Sequence, residues 1–402
     1  MLRKIFMLVA SIVATSLTAL AQCPNNEIWY TTRDGKKAEL YVGLDLDASN
    51  PNLKIVSHTY ANGKGVIRAN GPIKYFGYFE PGGVGFMLSL NVDTITFPDC
   101  LEGIISNYFV NIKTFKGKLA SADGRCLIKN GELIAFAPEG LTEYTIPNGV
   151  TKIGDAAFFI CENLTSLTVP YSVTKIDSSA FYGCDNLKTF KGKLASADGR
   201  CLIKNGELIA FAPGGLTKYT IPSGITKIGE YAFQDCENLT SITIPYGVTT
   251  IGKGAFSRCS NLRSITIPNS VTTIEEGAFF YCGLTSITIP SSVTKIEPCA
   301  FECCYNLTSI NIPNGVREIK CSTFASCTNL RSVTISNSVT RIGTGAFAYC
   351  TNLTNVNIPS SVTKIGPHAF EGCNVSYQIK ALAERLLYED PHEIWCTWDG
   401  DL

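Results

Sequence analysis

A 23-residue unit recurs through the C-terminal two thirds of the chain and constrains its fold more than any other feature. One copy spans residues 236–258 and carries an Ala-Phe pair near its end. Successive phenylalanines of this pair lie 23 residues apart, except for one interval of 22 and one of 52. They are Phe158, Phe181, Phe233, Phe256, Phe279, Phe301, Phe324, Phe347 and Phe370. A unit this short cannot form its own core, so stacked units must bury one continuous seam.

Within each unit, the spacing of apolar residues predicts a short strand followed by a closing segment. Leu-x-x-Ile-x-Ile-Pro alternates as in a half-buried strand, and its proline has no amide hydrogen to donate. Val-x-x-Ile-Gly then turns the chain, and Ala-Phe-x-x-Cys predicts a short helical turn or an irregular arc. The apolar positions of one unit are Leu239, Ile242, Ile244, Val248, Ile251, Ala255, Phe256 and Cys259. We therefore expect an α/β solenoid that forms one elongated domain.

The first 21 residues have the pattern of a signal peptide. Arg3 and Lys4 precede an apolar stretch, which ends in the small residues that a signal peptidase requires. The stretch is too short for the alternative of a membrane anchor. Lipidation of Cys23 is a second alternative, but Gln22 stands where a lipoprotein signal has a small residue. We expect cleavage after Ala21 and export of the chain to the cell surface, the periplasm or the medium.

Caps are expected at both ends of the repeats, because terminal coils of a solenoid must cover their exposed seam. Residues 22–113 are predicted to form the N-terminal cap, with a hairpin over 27–41 and a degenerate first repeat that begins at Val92. Residues 114–373 are predicted to form the solenoid. Residues 374–402 are predicted to form a C-terminal cap of one helix and one closing strand.

An internal duplication interrupts the repeats. Residues 114–138 recur letter for letter at 189–213, which places matching inserts at 116–144 and 191–219. Each insert contains an Asn-Gly pair between two apolar runs, the pattern of a tight hairpin turn. The hairpin either extends the sheet of its own coil or protrudes as a docking platform, and we prefer the first alternative.

The chain has 17 cysteines, which in an exported protein suggests a disulfide framework. Nine of them, however, follow the repeat phenylalanine by three residues, so we interpret them as a ladder of buried thiols. They are Cys161, Cys184, Cys236, Cys259, Cys282, Cys304, Cys327, Cys350 and Cys373. Outside the ladder, Cys299 and Cys321 lie on neighbouring coils and are candidates for one disulfide. No Cys-x-x-Cys pair supports a zinc site.

Charge and motif content exclude several classes of function. The chain has 34 basic and 34 acidic residues, which gives no support for nucleic-acid binding or for binding to anionic membranes. The three histidines, His58, His368 and His392, are far apart in sequence, so no catalytic or metal site is expected. Residues 247–254 resemble a phosphate-binding loop, but Gly254 replaces the hydroxyl residue that such a loop requires. We expect no cofactor.

The repeat units resemble the BspA-like leucine-rich repeats, a family of exported bacterial surface proteins. The resemblance rests on Leu-Thr-Ser-Ile-Thr-Ile-Pro at 239–245, Ser-Val-Thr-Thr-Ile at 270–274 and the Ala-Phe-x-x-Cys closures at 255–259 and 346–350. The leader segments 28–32 and 34–36 are similar to the module that precedes such repeats. The resemblance implies a leucine-rich repeat array that acts in adhesion to host proteins and other cells. It implies no catalytic residues.

Strand alternation predicts which side chains would form a binding surface. Alternate residues of each strand point away from the seam, so the repeats place polar side chains in two stacked columns. The columns contain Ser241, Thr243, Ser264, Thr266, Ser286, Thr288, Ser309, Asn311, Ser332, Thr334, Asn355 and Asn357. Their side chains are either a recognition face or ordinary solvated strand residues. The predicted function is non-enzymatic binding of a protein, with glycan binding, an envelope scaffold and an enzyme site in the N-terminal cap as alternatives.

Overall fold

The computed structural model describes residues 24–42, 53–76, 86–88, 91–104, 109, 111–177 and 179–388. The predicted signal peptide, Cys23 and the predicted closing strand near residue 395 lie outside these residues. The chain divides into two compact units. The first unit comprises Met1–Leu141, Gly149–Phe159 and Ser172–Ala180, and the second comprises Thr142–Asn148, Ile160–Tyr171 and Phe181–Leu402.

The described residues form 31 short strands and one helix. The strands up to residue 176 are β1 (Glu27–Thr32), β2 (Leu40–Val42), β3 (Ile55–Ala61), β4 (Lys64–Ala69), β5 (Tyr75–Phe76), β6 (Phe86–Leu88), β7 (Val92–Thr96), β8 (Gly103–Ile104), β9 (Thr114–Lys116), β10 (Cys126–Lys129), β11 (Glu132–Phe136), β12 (Glu143–Thr145), β13 (Lys152–Ile153), β14 (Ser166–Thr168) and β15 (Lys175–Ile176).

The later strands lie in the second unit and repeat at the period of the sequence. They are β16 (Thr189–Lys191), β17 (Cys201–Lys204), β18 (Glu207–Phe211), β19 (Lys218–Thr220), β20 (Lys227–Ile228), β21 (Ser241–Thr243), β22 (Thr250–Ile251), β23 (Ser264–Thr266), β24 (Thr273–Ile274), β25 (Lys295–Ile296), β26 (Ser309–Asn311), β27 (Glu318–Ile319), β28 (Ser332–Thr334), β29 (Arg341–Ile342), β30 (Asn355–Asn357) and β31 (Lys364–Ile365). The helix α1 follows at Tyr377–Arg385.

The N-terminal part of the first unit is a five-stranded sheet in the order β3-β4-β1-β7-β9. Strand β7 contains the degenerate repeat predicted at Val92, and it pairs in parallel with β9 as the later repeats do. The hairpin predicted over 27–41 is wrong, because β1 pairs with β4 and β7 and β2 pairs with β6. The hairpin of this cap joins β3 to β4 instead, through Asn62 and Gly63, which both have positive φ.

Each duplicated insert extends the sheet of its own coil, which confirms the preferred alternative. Strand β10 pairs antiparallel with β11 across Asn130-Gly131, both with positive φ as a two-residue hairpin turn requires. Strand β11 then pairs in parallel with β13. The second copy has the same register, with β17 and β18 joined by Asn205-Gly206 and β18 paired with β20.

Parallel ladders join successive coils of the second unit and confirm the predicted solenoid. Residues 23 positions apart are direct partners, as in Ser241 with Ser264 and Ile242 with Ile265. A second ladder, formed by two-residue strands such as β22 and β24, pairs Ile251 with Ile274. Strands recur in the same register because the apolar residues of each coil face the interior.

The closing segment of each coil is an irregular arc and not a helical turn. The residues two positions before and two after the repeat phenylalanine have positive φ, as Gly254 and Arg258 do around Phe256. Amide groups along the arc donate alternately to a carbonyl oxygen of their own coil and to one of the next coil. Ser257 donates to Gly254 of its own coil, whereas Phe256 donates to Ala278 of the next coil at 2.8 Å. A helix is excluded because alternate amides bond between coils.

One apolar core runs through the second unit from Cys201 to Val375. The repeat phenylalanines stack along it, with ring centroids 5.4 Å apart between Phe256 and Phe279 and 5.5 Å apart between Phe324 and Phe347. Helix α1 has no fully buried residue, but Ile379 packs against the end of this core. Tyr388 donates its amide to Ile365 on the last coil, so the described residues after 374 contact the end of the core, and their role as a C-terminal cap stays a prediction.

Candidate interaction surface

The two polar columns stand on the outer side of the strands in the second unit, as strand alternation predicts. Ser241 and Ser332 are partly exposed and the other ten side chains are exposed. The columns are in register between coils, since Ser264 pairs with Ser241 and Thr334 pairs with Asn357. Isoleucine or valine lies between the two columns of each strand and is buried. The surface is therefore regular and polar.

The side chains of the columns differ from other threonines of the repeats in their hydrogen bonding. Thr249 and Thr272, on the second ladder, donate their hydroxyl groups to carbonyl oxygens of the preceding coil at 3.1 and 3.2 Å. Thr240, just before a column, does the same at 2.9 Å. Over the part of the chain that the structure describes, no column side chain donates to or accepts from another protein group. The column side chains are thus available to a partner.

Basic and acidic side chains on the second ladder are largely paired with each other. Glu297 bonds to Lys295 at 2.5 Å and to Lys320 at 2.6 Å, across neighbouring coils. Burial opposes the ionisation of Glu297, but the bonds from these two lysines outweigh it and lower its pKa. Arg341 pairs with Glu318 at 3.1 Å in the same way. Each of these partly exposed pairs contributes little to stability, but together they leave little net charge for a ligand.

On the closing arcs, Asp235 is the carboxyl group whose pKa is shifted most among the described residues of the second unit. Burial raises the pKa of Asp235 to about 7, against the opposing effect of Arg258. The Oδ2 atom of Asp235 is buried and accepts no hydrogen bond from the residues that the structure describes. Burial raises the pKa of Asp185 as well, and the nearby Glu237 and Glu162 add to the increase.

The cysteine ladder lies in the core, as predicted. The Sγ atoms of Cys259 and Cys282 donate to the carbonyl oxygens of Phe233 and Phe256 on the preceding coil at 3.0 and 3.3 Å. Burial raises the pKa of the Cys304 thiol to about 12, so this thiol stays protonated at neutral pH. The ladder therefore acts as packing and as a line of weak donors between coils.

The candidate disulfide pair lies where the sequence places it, on neighbouring coils. Cys299 and Cys321 are both buried thiols in the structure. The backbone amide of Cys299 donates to the carbonyl oxygen of Cys321 at 3.1 Å. The disulfide between them stays a prediction about the oxidised protein.

Exposed aromatic side chains are a feature that the sequence analysis missed. Tyr171 and Tyr246 follow the proline that ends their strands and are 72% and 81% exposed. Tyr281 and Tyr305 lie on the closing arcs with their rings 5.3 Å apart, edge to face. The columns themselves contain no aromatic residue, so these rings lie outside the predicted surface. Only their sequence position after proline, or beside the ladder cysteine, marks them in advance.

The histidines occupy separate positions. His58 lies in the first unit, 2.7 Å from the Tyr30 hydroxyl, and burial lowers its pKa. His368 contacts Glu371 at 2.5 Å on the last closing arc, and His392 is outside the described residues. No cluster of three or more metal-binding side chains occurs in the described ranges. In the same ranges, no helix has the length and apolar character needed to cross a bilayer.

Comparison with known families identifies the repeats. A family model described as a BspA type leucine rich repeat region matches residues 131–194, 207–279 and 249–376, in six copies. These matches cover more than half of the chain. The chain belongs to the BspA type leucine-rich repeat family.

Solved structures that are similar to this chain include three bacterial proteins. A leucine rich repeat protein of T. pallidum is 27% identical, covers 49% of this chain and 93% of its own, and has a TM-score of 0.43. A leucine rich cell surface protein of Faecalibacterium prausnitzii is 30% identical, covers 63% and 77%, and has a TM-score of 0.36. The pneumococcal vaccine antigen PcpA is 17% identical, covers 88% and 96%, and has a TM-score of 0.45. A search of curated proteins returned no match.

Proposed function

We propose that this chain is an exported, non-enzymatic surface protein that binds a protein partner through the two polar columns of its second unit. One observation carries the proposal. Twelve exposed or partly exposed polar side chains stand in register on one side of the coils, and none of these side chains forms a hydrogen bond within the described structure. Membership of the BspA type family and the predicted signal peptide support the setting at a cell surface.

Glycan binding through the same columns is the second candidate. Its support is the chemistry of the columns, because hydroxyl and amide groups match sugar hydroxyls and no aromatic or apolar anchor for a protein hot spot stands among them. A scaffold role in the envelope remains a third alternative for the same array. All three require a macromolecular partner and no cofactor.

The test uses residues 22–402 immobilised and screened against host-matrix proteins, bacterial surface proteins and glycans. Thr266 and Thr288 are exposed, adjacent partners in the same column. Changing both to Glu places two negative charges on the columns. We expect this change to weaken the affinity for a saturable partner by at least about tenfold, or roughly 1.4 kcal/mol. The fold should be unaffected because both side chains point to solvent.

The matched control introduces the same two charges outside the columns. Asn238 and Asn374 are exposed beside ladder cysteines, and changing both to Glu should leave binding unchanged. Equal losses in the two double variants, or no loss in either, would move the site away from the columns. Thermal melts of both variants verify that each remains folded.

A further inference from the structure

Two clusters of exposed lysines lie at the duplicated segments, and most of these lysines form no ion pair within the described residues. The sequence Lys-x-x-Lys-x-Lys occurs once in each of the two compact units, at the strand that begins each insert. We call these clusters the lysine modules. The first is Lys113, Lys116 and Lys118 in the first unit, and the second is Lys188, Lys191 and Lys193 in the second. All six side chains are exposed.

Both modules rest on the same fixed backbone. Gly117 and Gly192 separate the last two lysines of their modules and both have a φ of 113°. A Cβ at either glycine would collide with a carbonyl oxygen of the preceding coil, Phe97 in one case and Val169 in the other. The loop that follows is tied back to its strand, since Gly124 accepts from the amide of Phe115 at 2.7 Å, and the second copy repeats this bond. The lysines are therefore presented from a rigid support.

The ion pairing of these lysines differs from that of lysines elsewhere in the repeats. Lys175, Lys227 and Lys295 on the second ladder each bond to a carboxylate, at 3.0, 3.1 and 2.5 Å. Of the six module lysines, only Lys191 forms an ion pair within the described residues, at 3.3 Å from the exposed Glu143. Both modules thus carry a net positive charge that ion pairs within the described residues do not balance, although the net charge of the whole chain is zero.

The chemistry of the modules indicates what kind of anion they fit. They contain lysine and no arginine, and lysine acts as a point charge that attracts an anionic group without imposing a bidentate geometry on it. Lysine is also depleted in protein interfaces, which rely on aromatic and arginine anchors. Proteins that bind single-stranded nucleic acid stack successive bases on a series of aromatic side chains. One ring borders one module, where Lys193 Nζ lies 3.8 Å from the centre of the Tyr171 ring.

We propose that the two lysine modules bind an acidic polysaccharide, through its carboxylate or sulfate groups. The modules share no residue with the columns at 241–357, so this proposal concerns different side chains from the one above. Threonine hydroxyls at 114 and 189 stand between the lysines and suit the sugar hydroxyls between charged groups. Tyr171, at 72% exposed, adds an aromatic ring beside the second module.

The experiment measures retention of residues 22–402 on immobilised polygalacturonate and heparin, which supply carboxylate and sulfate. The wild-type chain should bind both at low salt and elute as salt rises, since exposed charges are screened. Replacing the three lysines of either module with Gln should weaken binding by on the order of tenfold, and replacing all six should abolish retention at about 0.15 M salt.

The matched control removes the same three charges from the second ladder. Changing Lys175, Lys227 and Lys295 to Gln leaves both modules intact, so its elution should match that of wild type to within about twofold. The proposal fails if wild type is not retained, or if this control loses as much affinity as a module variant. It also fails if duplex DNA displaces the chain at lower concentration than free polygalacturonate or heparin does. Melting temperatures verify that all variants are folded.

Discussion

Single side chains of the closing arcs occupy backbone positions that ordinarily favour glycine. Arg258, Tyr281 and Tyr349 have φ between 55° and 59°, a region in which a bulky side chain is uncommon. Each is two residues after a repeat phenylalanine, where the amide donates to the next coil. The bond between coils fixes this conformation at these three positions, whichever residue the sequence supplies, and the strain is offset by the buried core beside it.

The buried carboxyl of Asp235 predicts a pH dependence of stability. Its pKa is about 7 in the folded chain and 3.8 in its ordinary range, so between these values the folded state holds a proton that the unfolded state has lost. The free energy of unfolding therefore falls as pH rises from about 4 to about 7. Asp235→Asn removes this penalty and should stabilise the chain at pH 8, by on the order of 1–2 kcal/mol after screening by solvent, and have little effect at pH 4.

Denaturant melts of wild type and Asp235→Asn at both pH values measure this difference. Asparagine tolerates positive φ as aspartate does, so the backbone is not a confounding factor. A stability gain of the same size at pH 4 and pH 8 would show that Asp235 is not held protonated by burial. Glu237→Gln, an exposed neighbour, serves as the control and should change the pH profile less.

The strands and arcs show which parts of the fold the sequence predicts and which it does not. Phe256 and the other repeat phenylalanines are buried as predicted, except for the half-buried Phe181, because a 23-residue period leaves one register that covers them. The arc at 254–258 was ambiguous, since nothing in Gly-Ala-Phe-Ser-Arg distinguishes a helical turn from alternating bonds to the next coil. The partner of β1 was also out of reach, because pairing between residues 27–32 and 64–69 depends on contacts distant in sequence.

The surface was predicted less completely than the core. Alternation alone located the exposed columns, because it decides which side of a strand faces solvent. It does not show that Thr249 uses its hydroxyl between coils whereas Thr266 does not, since that depends on the distance to the preceding coil. The lysines at 188–193 likewise resemble paired ones such as Lys295 until their surroundings are known.

The glycine at the start of each insert lets its backbone lie close to a carbonyl oxygen of the preceding coil. Gly192→Ala should lower the free energy of unfolding by about 3 kcal/mol, because φ of 113° is strained for alanine and its Cβ would strike the Val169 carbonyl. Gly224→Ala is the matched control. Gly224 also has positive φ, 86°, but nothing lies within 4 Å of its Cβ position, so we expect a loss of about 1 kcal/mol.

Urea unfolding of the two glycine variants gives the comparison directly. A larger loss for Gly192→Ala supports the close approach of the insert to the preceding coil. Equal losses would mean that backbone conformation alone accounts for both and that the approach at Val169 is looser than the structure has it.

For the molecule as a whole, stability in the second unit follows from each coil serving as the packing partner of the next. The continuous core from Cys201 to Val375 has no internal boundary, and every repeat phenylalanine within it touches its neighbours' rings or cysteines. Its surfaces remain free for binding because the bonds between coils use backbone groups and inward side chains. A repeat array can therefore vary its outer residues with little effect on folding.

Native-state hydrogen exchange resolved to single amides examines this packing most directly. The amides of Phe256, Phe279 and Phe301 donate to carbonyl oxygens of the next coil at 2.8 to 2.9 Å, beside fully buried rings. We predict that they exchange only through opening of the core, and more slowly than the amides of α1, which is hydrogen bonded but has no fully buried residue. Exchange of these phenylalanine amides as fast as that of α1 or of an unfolded peptide would contradict the stacked-coil core.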